Sequence, residues 1–350
     1  MMPYLFFVLG TFFLAVLGTA GMGWLAKRWR IVDFPAQRKV HNRPVPLLGG
    51  VAVFVSFFIV IGLAIFFTPY LDDNLSNRQF WALFLGSIVL MIGGFLDDKY
   101  NLRPRQQIIF PILAALTAIG GGVNLKEITN PWGGTLALDF WRWGNFIPLT
   151  QLLVFIWLMG MMYTTKLLDG LDGLVAGLTA IGSIMIFFLA GSQKFYQPDI
   201  ALIALLFAAA NLGFLIFNFY PAKIFLGEGG SLMSGFILGF LAIAAGGKIA
   251  TTLLVMGIAA LDIIMVMVRR LSRGQPFWQA DALHLHHRLL ALGFSQPQVV
   301  VFFYCLAAGF GIMALFLQSR GKMFALLALA IVGILISGLT ERNRDFKNND

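Results

Sequence analysis

The stretch LLGGVAVFVSFFIVIGLAIFFTP, residues 47–69, runs without a single charged side chain. Crossing the hydrocarbon core of a bilayer takes about 20 mostly apolar residues, so this run is long enough to do so as a helix. Ten more runs of the same kind fall near residues 4–26, 80–96, 108–123, 146–163, 173–190, 199–218, 231–247, 249–268, 298–318 and 322–340. In lipid the backbone must satisfy its own polar groups, which makes each run a helix. The expected fold is therefore an all-α polytopic membrane protein with about eleven transmembrane helices. They form one integral-membrane domain over residues 1–350, with no room for a soluble domain between the spans.

The whole composition agrees. Of the 350 residues, 59% are hydrophobic and 12% charged, with a mean hydropathy of +0.84. A soluble chain carries about 25% charged residues, enough to cover a water-facing surface. A cytosolic enzyme, a disordered chain and a secreted disulfide scaffold are all excluded. Cys305, the one cysteine, lies within an apolar run and forms no disulfide within the chain. The first run is longer than a signal-peptide core, has no charge before it, and is followed by Lys27, Arg28 and Arg30. It reads as a retained span.

Orientation follows from the basic residues, which favour cytoplasmic connections. With the first connection inside, 18 of the 25 Lys and Arg fall on the inner side and 7 on the outer. The N-terminus is then outside and the C-terminus inside, with cytoplasmic loops near 27–46, 97–107, 164–172, 219–230 and 269–297. The net charge of +9 points to anionic lipid headgroups and a phosphorylated substrate. No basic patch interleaved with aromatics lies outside the spans, so nucleic acid is not expected as a partner. Asp33, Asp97, Asp98, Asp169, Asp172, Glu228 and Asp281, with all four histidines, fall on the same inner side. Solubility does not require that grouping; a polar chemical site at one membrane face does.

Five stretches carry it. DFPAQRKVHNRPVPLLGG, residues 33–50, reads either as a basic juxtamembrane segment or as an anion-handling loop. In the second reading Arg38, Lys39 and His41 are donors, while prolines and glycines allow close backbone approach. GGFLDDKYNLRPR, residues 93–105, sets Asp97 beside Asp98 at an apolar boundary, where adjacent carboxylates want a cation. With Asn101 one turn on, they suit Mg²⁺ held through water and substrate phosphates; pairing to Lys99 and Arg103 is the alternative. KLLDGLDGL, residues 166–174, places Asp169 and Asp172 three apart at a helix start, with Lys166 beside them. N-capping accounts for one of the two, not both. NFYPAKIFLGEGGSL, residues 218–232, is a Gly-rich connection with Glu228, whose backbone N–H groups can meet a phosphate.

The last stretch, FWQADALHLHHRLLALGFS at residues 277–295, holds His284, His286 and His287 at a spacing unlike the i, i+4 pair of a helical zinc site. Groups that donate to a diphosphate fit better, with Arg288 and Asp281 as orienting neighbours. Asp262, inside the ninth run, is expected to form a structural pair rather than to act in catalysis. Transporters put their ionisable residues near the bilayer midplane. Here all but Asp262 gather at one face, which favours an interfacial enzyme.

In this order the five stretches resemble the polyprenyl-phosphate N-acetylhexosamine-1-phosphate transferases of glycosyltransferase family 4, the WecA, TagO and MraY enzymes. The matching segments are DFPAQRKVHNRPVPLLGG, GGFLDDKYNLRP, LLDGLDGLVAG, FNFYPAKIFLGEGGSL and ADALHLHHRLLALGFS, and the eleven-span layout resembles the WecA/TagO branch. The resemblance implies transfer of a sugar 1-phosphate, GlcNAc-1-phosphate or that of a related amino sugar, from a UDP-amino sugar to undecaprenyl phosphate. UMP is released and a cell-envelope polysaccharide is begun, at the bacterial cytoplasmic membrane with the site facing the cytoplasm. It implies Mg²⁺ (or Mn²⁺) as cofactor, held by Glu228 and Asp98. Asp97, Asp98, Asp169 and Asp172 form the catalytic set. Arg38, Lys39, His41, Asn101, Lys166, Asn218, His284, His286, His287 and Arg288 bind the substrates. Pairing as a homodimer is left open.

Several positions depart from the family's pattern. Lys166 stands where a metal-liganding Asn is usual, and Glu228 replaces an Asp. Leu47, Gln107 and Ala282 replace basic residues. A Lys ammonium either supplies part of the cation's charge or excludes the metal. A divergent paralogue that keeps the fold and binds lipid or a partner is therefore the alternative reading.

Overall fold

The structure, a computed structural model, describes residues 2–35, 43–67, 75–125, 127–138, 147–193, 195–246, 249–272, 274 and 284–349. In chain order it runs α1 (Met2–Arg28), β1 (Val32–Asp33), β2 (Val45–Pro46), α2 (Gly49–Phe67), α3 (Asn77–Tyr100), α4 (Pro104–Gln107) and α5 (Ile109–Gly120). There follow β3 (Glu127–Thr129), β4 (Thr135–Ala137), α6 (Pro148–Leu168), α7 (Leu174–Ala190), α8 (Pro198–Asn218) and α9 (Gly227–Ala244). The chain ends in α10 (Ile249–Ser272), α11 (Leu285–Ala291), α12 (Gln296–Phe316) and α13 (Ser319–Asn349). It is an all-α membrane protein, and each of the eleven apolar runs coincides with a helix.

Two of those helices are shorter than the runs suggested. Among the described residues nine helices are long and apolar enough to cross a membrane. At 1.5 Å per residue, the 12-residue α5 reaches about 18 Å, well short of a hydrocarbon core of roughly 30 Å. The 17-residue α7 reaches about 25 Å on the same rise.

Local chemistry sets the ends. Ser76 accepts from Gln79 N, and Gln79 reaches back to Ser76 N, closing a capping box at the start of α3. Pro148 and Pro198 open α6 and α8, where a missing N–H costs nothing. At the other end of α3, Asn101 turns left-handed at φ 51° and its N–H returns to the Asp97 carbonyl. Asn is among the few side-chain-bearing residues that take this conformation readily.

α9 lies at the centre: it is buried along almost its whole length, and it packs against α2, α3, α6 and α7. Glycine makes this possible. A Cβ on Gly94 of α3 would fall on the backbone N and Cα of Gly229 in α9. One on Gly50 of α2 would fall on Gly230, and one on Gly235 of α9 on the Met161 carbonyl of α6. Without side chains these helices meet backbone to backbone, the device by which membrane helices approach closely.

That approach also satisfies helix ends. The first N–H groups of α2 have no partner within their helix. Gly49 N donates to Phe225 O at 3.0 Å and Gly50 N to Leu226 O at 2.7 Å, while Phe225 N donates to Pro46 O at 2.8 Å. β1 pairs antiparallel with β2, Val32 opposite Pro46 and Asp33 opposite Val45, which ties the first connection to this junction. The starts of α2, α7 and α9 and the ends of α3, α6 and α8 thus meet at one end of the bundle.

Replacing Gly94 by Ala is expected to destabilise the protein by at least about 2 kcal/mol, because overpacking against backbone cannot be relieved by a rotamer. Thermal denaturation in detergent reads this, with Gly10→Ala as control, since a Cβ at Gly10 meets nothing within 4 Å.

Candidate active site

At that end of the bundle lies a cavity of about 530 Å³. Its walls include Asp33, Asp97, Asp98, Asn101, Asp169, Asp172, Asn218, Glu228 and His287, with Val32, Phe34, Leu47, Phe225 and Gly227 as apolar or backbone lining. Four of the five stretches singled out in the sequence therefore share one wall set with part of the first. Arg38, Lys39 and His41 lie outside the described residues, as do Asp281 and Ala282.

Three of these carboxylates are held by backbone N–H groups. Asp97 accepts from Leu102 N at 2.8 Å and from Gln107 Nε2 at 3.0 Å, so the turn after α3 folds back over it. Asp98 accepts from Glu228 N, 3.3 Å from each oxygen, joining the end of α3 to the start of α9. Gly227, at φ +76°, makes this approach possible: a Cβ there would fall on the Leu47 carbonyl and crowd Asp98 Oδ2. Asp172 Oδ2 accepts from Ala222 N at 2.9 Å. Asn218 accepts from Gly173 N at 3.1 Å and donates to Ile224 O at 3.0 Å. Its amide thus clamps the 169–173 loop to the 219–226 loop while its side chain lines the cavity.

Asp169 caps the end of α6 and lines the cavity. Burial pushes its carboxyl up to about 7; the Glu228 and Asp172 carboxylates add to the rise, and the Ser231 hydroxyl opposes it.

Lys166, in the last turn of α6, is ion-paired to Glu228 Oε1. Its Nζ also donates to Gln107 Oε1 at 3.1 Å and lies 5.7 Å from the centre of the Tyr163 ring. This bears on the expected metal. The donors around the cavity are carboxylate oxygens, the type Mg²⁺ prefers. Yet the Glu228 oxygen that would face a cation already faces an ammonium, and both Asp98 oxygens share the Glu228 N–H. Among the described residues no three His, Cys, Asp or Glu side chains are grouped to hold a metal. At the Glu228 position the residues present do not fit a divalent ion, because it would sit against the Lys166 charge.

The histidines divide. His287 reaches the cavity. His286 is buried between its neighbours, stacked on His284 with ring centres 5.7 Å apart and 4.3 Å from His287. Burial holds His286 well below the usual imidazole value, with His287 and His284 adding to the effect, and lowers His287 as well. Both are neutral near pH 7, so His287 faces the cavity as a hydrogen-bonding group rather than a cation.

His284 and Arg288, expected at the substrate, are turned elsewhere. His284 Nδ1 is 3.0 Å from Asp262 Oδ2, Leu285 N donates to Asp262 Oδ1 at 2.8 Å, and Arg288 approaches the same oxygen at 3.6 Å. Arg288 also donates to Ser337 O at 2.9 Å and Oγ at 3.0 Å, and Arg269 donates to that hydroxyl at 2.7 Å. The structural pairing expected of Asp262 is present, with His284 at the cap of α11 and with Leu285 and Arg288 of α11. Together these bonds dock α11 against α10 and α13, which sets His287 at the cavity.

Sequence reasoning missed Tyr304, whose hydroxyl donates to Gly173 O, because it sits inside an apolar run where an aromatic reads as lipid-facing. It saw Gln107 only as an absent basic residue. Ser231 and Ser337 carried no signal of their own.

A model of the family described as glycosyl transferase family 4 matches residues 80–246. The chain is 30% identical over 318 residues to a probable undecaprenyl-phosphate N-acetylglucosaminyl 1-phosphate transferase of Bacillus subtilis (strain 168), covering 89% of this chain and 84% of the relative. It is 29% identical over 363 residues to a decaprenyl-phosphate N-acetylglucosaminephosphotransferase of Mycobacterium tuberculosis (strain ATCC 25618 / H37Rv), covering 95% and 88%. A phospho-N-acetylmuramoyl-pentapeptide-transferase of Bacillus velezensis shares 31% identity over 293 residues, covering 78% and 83%.

Two measurements check this geometry. Asp262→Ala leaves Arg288 buried without its carboxylate and should cost about 3 kcal/mol, with faster amide exchange confined first to α11. For Asp169, the native carboxyl titrates near 7 and the unfolded one near 3.8. Its contribution is fully stabilising below the unfolded value and is lost as pH rises to the native one. In metal-free buffer the melting temperature of Asp169→Asn should therefore gain on the parent between about pH 5 and pH 7, and level off above.

Proposed function

Because the chain belongs to glycosyl transferase family 4, and is by that membership a phospho-sugar transferase, we propose that it moves N-acetylglucosamine 1-phosphate, or that of a close amino sugar, from a UDP-sugar to undecaprenyl phosphate. The observation that carries this reading is the cavity at the helix ends, walled by Asp97, Asp98, Asp169, Asp172 and Glu228. A lipid acceptor arrives within the bilayer and a nucleotide sugar from water. Their phosphates can meet only where membrane helices end and a polar cavity begins.

The chemistry asks little covalent work of the protein. An acceptor phosphate oxygen attacks the phosphorus that bears the sugar. The bond from that phosphorus to the bridging oxygen breaks, and UMP leaves with the electron pair. The acceptor phosphate is mostly dianionic at neutral pH, its second pKa being near 6, so no base is needed to start the attack. Asp97 and Asp98, both held by backbone N–H groups, serve to orient rather than to accept a proton. Asp169 and Asp172 shape the nucleotide side, with neutral His287 as a hydrogen-bonding group. In-line geometry and charge neutralisation supply the rate.

Divalent-metal dependence goes with the family in general. At Glu228 this chain carries Lys166 instead, and no step here runs through a metal. The excess of basic residues on the connections at this end favours a cytosol-facing site in a bacterial cytoplasmic membrane, with anionic headgroups nearby. Product handed on from such a site would begin an envelope polysaccharide.

Purified protein given UDP-GlcNAc and undecaprenyl phosphate should release UMP in step with lipid-diphosphate sugar. Asp98→Asn should slow this by about 100-fold or more, the cost of misplacing a reacting group by roughly 1 Å. Failure to release UMP from any UDP-amino sugar would overturn the reading.

A further inference from the structure

We propose that the Lys166 ammonium is the resident cation of this cavity, standing at Glu228 in place of a divalent ion. The inference rests on the transferase reading for its purpose but not for its test.

The geometry joins four elements. Glu228 of α9 pairs with Lys166 of α6, Lys166 donates to Gln107 at the end of α4, and Gln107 donates to Asp97 of α3. The orientation of the Gln107 amide is forced. Lys166 has only donors, so it must meet the amide oxygen. The Asp97 carboxylate and the Leu102 carbonyl have only acceptors, so both must meet the amide nitrogen, each at 3.0 Å. A Lys or Arg at position 107 would put a second positive charge against Lys166, whereas a Gln serves both neighbours. Glu228 supplies the length that lets a carboxylate from α9 reach the ammonium. Three of the five residues that depart from the family's pattern, Glu228, Lys166 and Gln107, thus touch one another in series. Random decay of a site does not produce mutually satisfied replacements.

The position suits a fixed cation. Lys166 lies in the last turn of α6, where the helix dipole favours positive charge. Its side chain is 19% exposed, enough to meet an anion. An ammonium has three N–H donors, of which Glu228 and Gln107 take two among the described residues. The third is left for an anion such as a substrate phosphate oxygen. A cation tethered in this way needs no ion from solution at Glu228.

The test measures Mn²⁺ binding to the full-length protein in detergent by electron paramagnetic resonance, with no substrate present. Removing the ammonium in Lys166→Asn should strengthen Mn²⁺ binding at least about tenfold over the parent, by lifting like-charge repulsion at close range. The gain should vanish in Lys166→Asn with Glu228→Gln. Equal binding by the parent and Lys166→Asn, or parent binding that Glu228→Gln weakens, would overturn the proposal. Lys166→Met, which keeps the side chain's apolar bulk, repeats the comparison should the Asn variant unfold. These outcomes stand whether or not UMP is released, so failure of the transferase reading is told apart from failure of this one.

Discussion

The backbone contact of Gly50 and Gly94 with Gly229 and Gly230 is the constraint on which the rest of this structure depends. Lipid gives helices no hydrophobic reason to associate, so close packing must supply it. Here the contact does more than hold helices together. It brings the α9 start within reach of both α2 and α3, so Glu228 N can donate to Asp98 and the α2 start can donate to the 225–226 carbonyls. A single methyl group at the crossing would push these groups out of hydrogen-bond range. The fold and the site are therefore one problem: the glycines that permit the bundle are those that build the cavity.

Once the helix ends are gathered, electrostatics governs what the cavity can be. Six carboxyl groups line it, and like charges at a membrane boundary oppose one another and resist ionisation. At Asp169 burial raises the carboxyl most, and the Glu228 and Asp172 carboxylates raise it further. Backbone N–H groups relieve the opposition at Asp97, Asp98 and Asp172. Lys166 relieves it at Glu228. Phosphates entering such a place meet a framework already short of positive charge, so where each cation sits decides which phosphate binds where. That is why a single lysine carries more weight here than it would on a surface, where an ion pair contributes little.

The helices were legible because lipid imposes a length and a composition that can be read residue by residue. Boundaries were less so: α5 is shorter than its run because Gly121 and Gly122, the latter at φ +89°, end it in a turn, not because polarity changes. The grouping of the acidic stretches was also legible, since alternate connections must share a face. Which atoms meet was not. HLHH suggests three equivalent histidines, yet only His287 reaches the cavity, since His284 precedes α11 and pairs with an aspartate from within α10. Arg288 looked like an anion ligand and instead anchors that helix to α13. Pairings of this kind depend on three-dimensional register, to which hydropathy is blind.

The same register explains why Lys166 and Glu228 should be judged together. Taken singly, each substitution damages a phosphate site: one adds a cation where a ligand is expected, the other moves a carboxylate by a methylene. Taken with Gln107, they conserve what the cavity needs, which is a positive charge fixed between α6 and α9 and a hydrogen bond to Asp97. A tethered ammonium differs from a bound divalent ion in two respects that matter for phosphoryl transfer. It carries less charge, and it cannot be lost to solution. The first limits how strongly it draws in a transferring phosphoryl group. The second makes the site independent, at this position, of the surrounding ion supply, so the cavity keeps its shape and its charge before either substrate arrives.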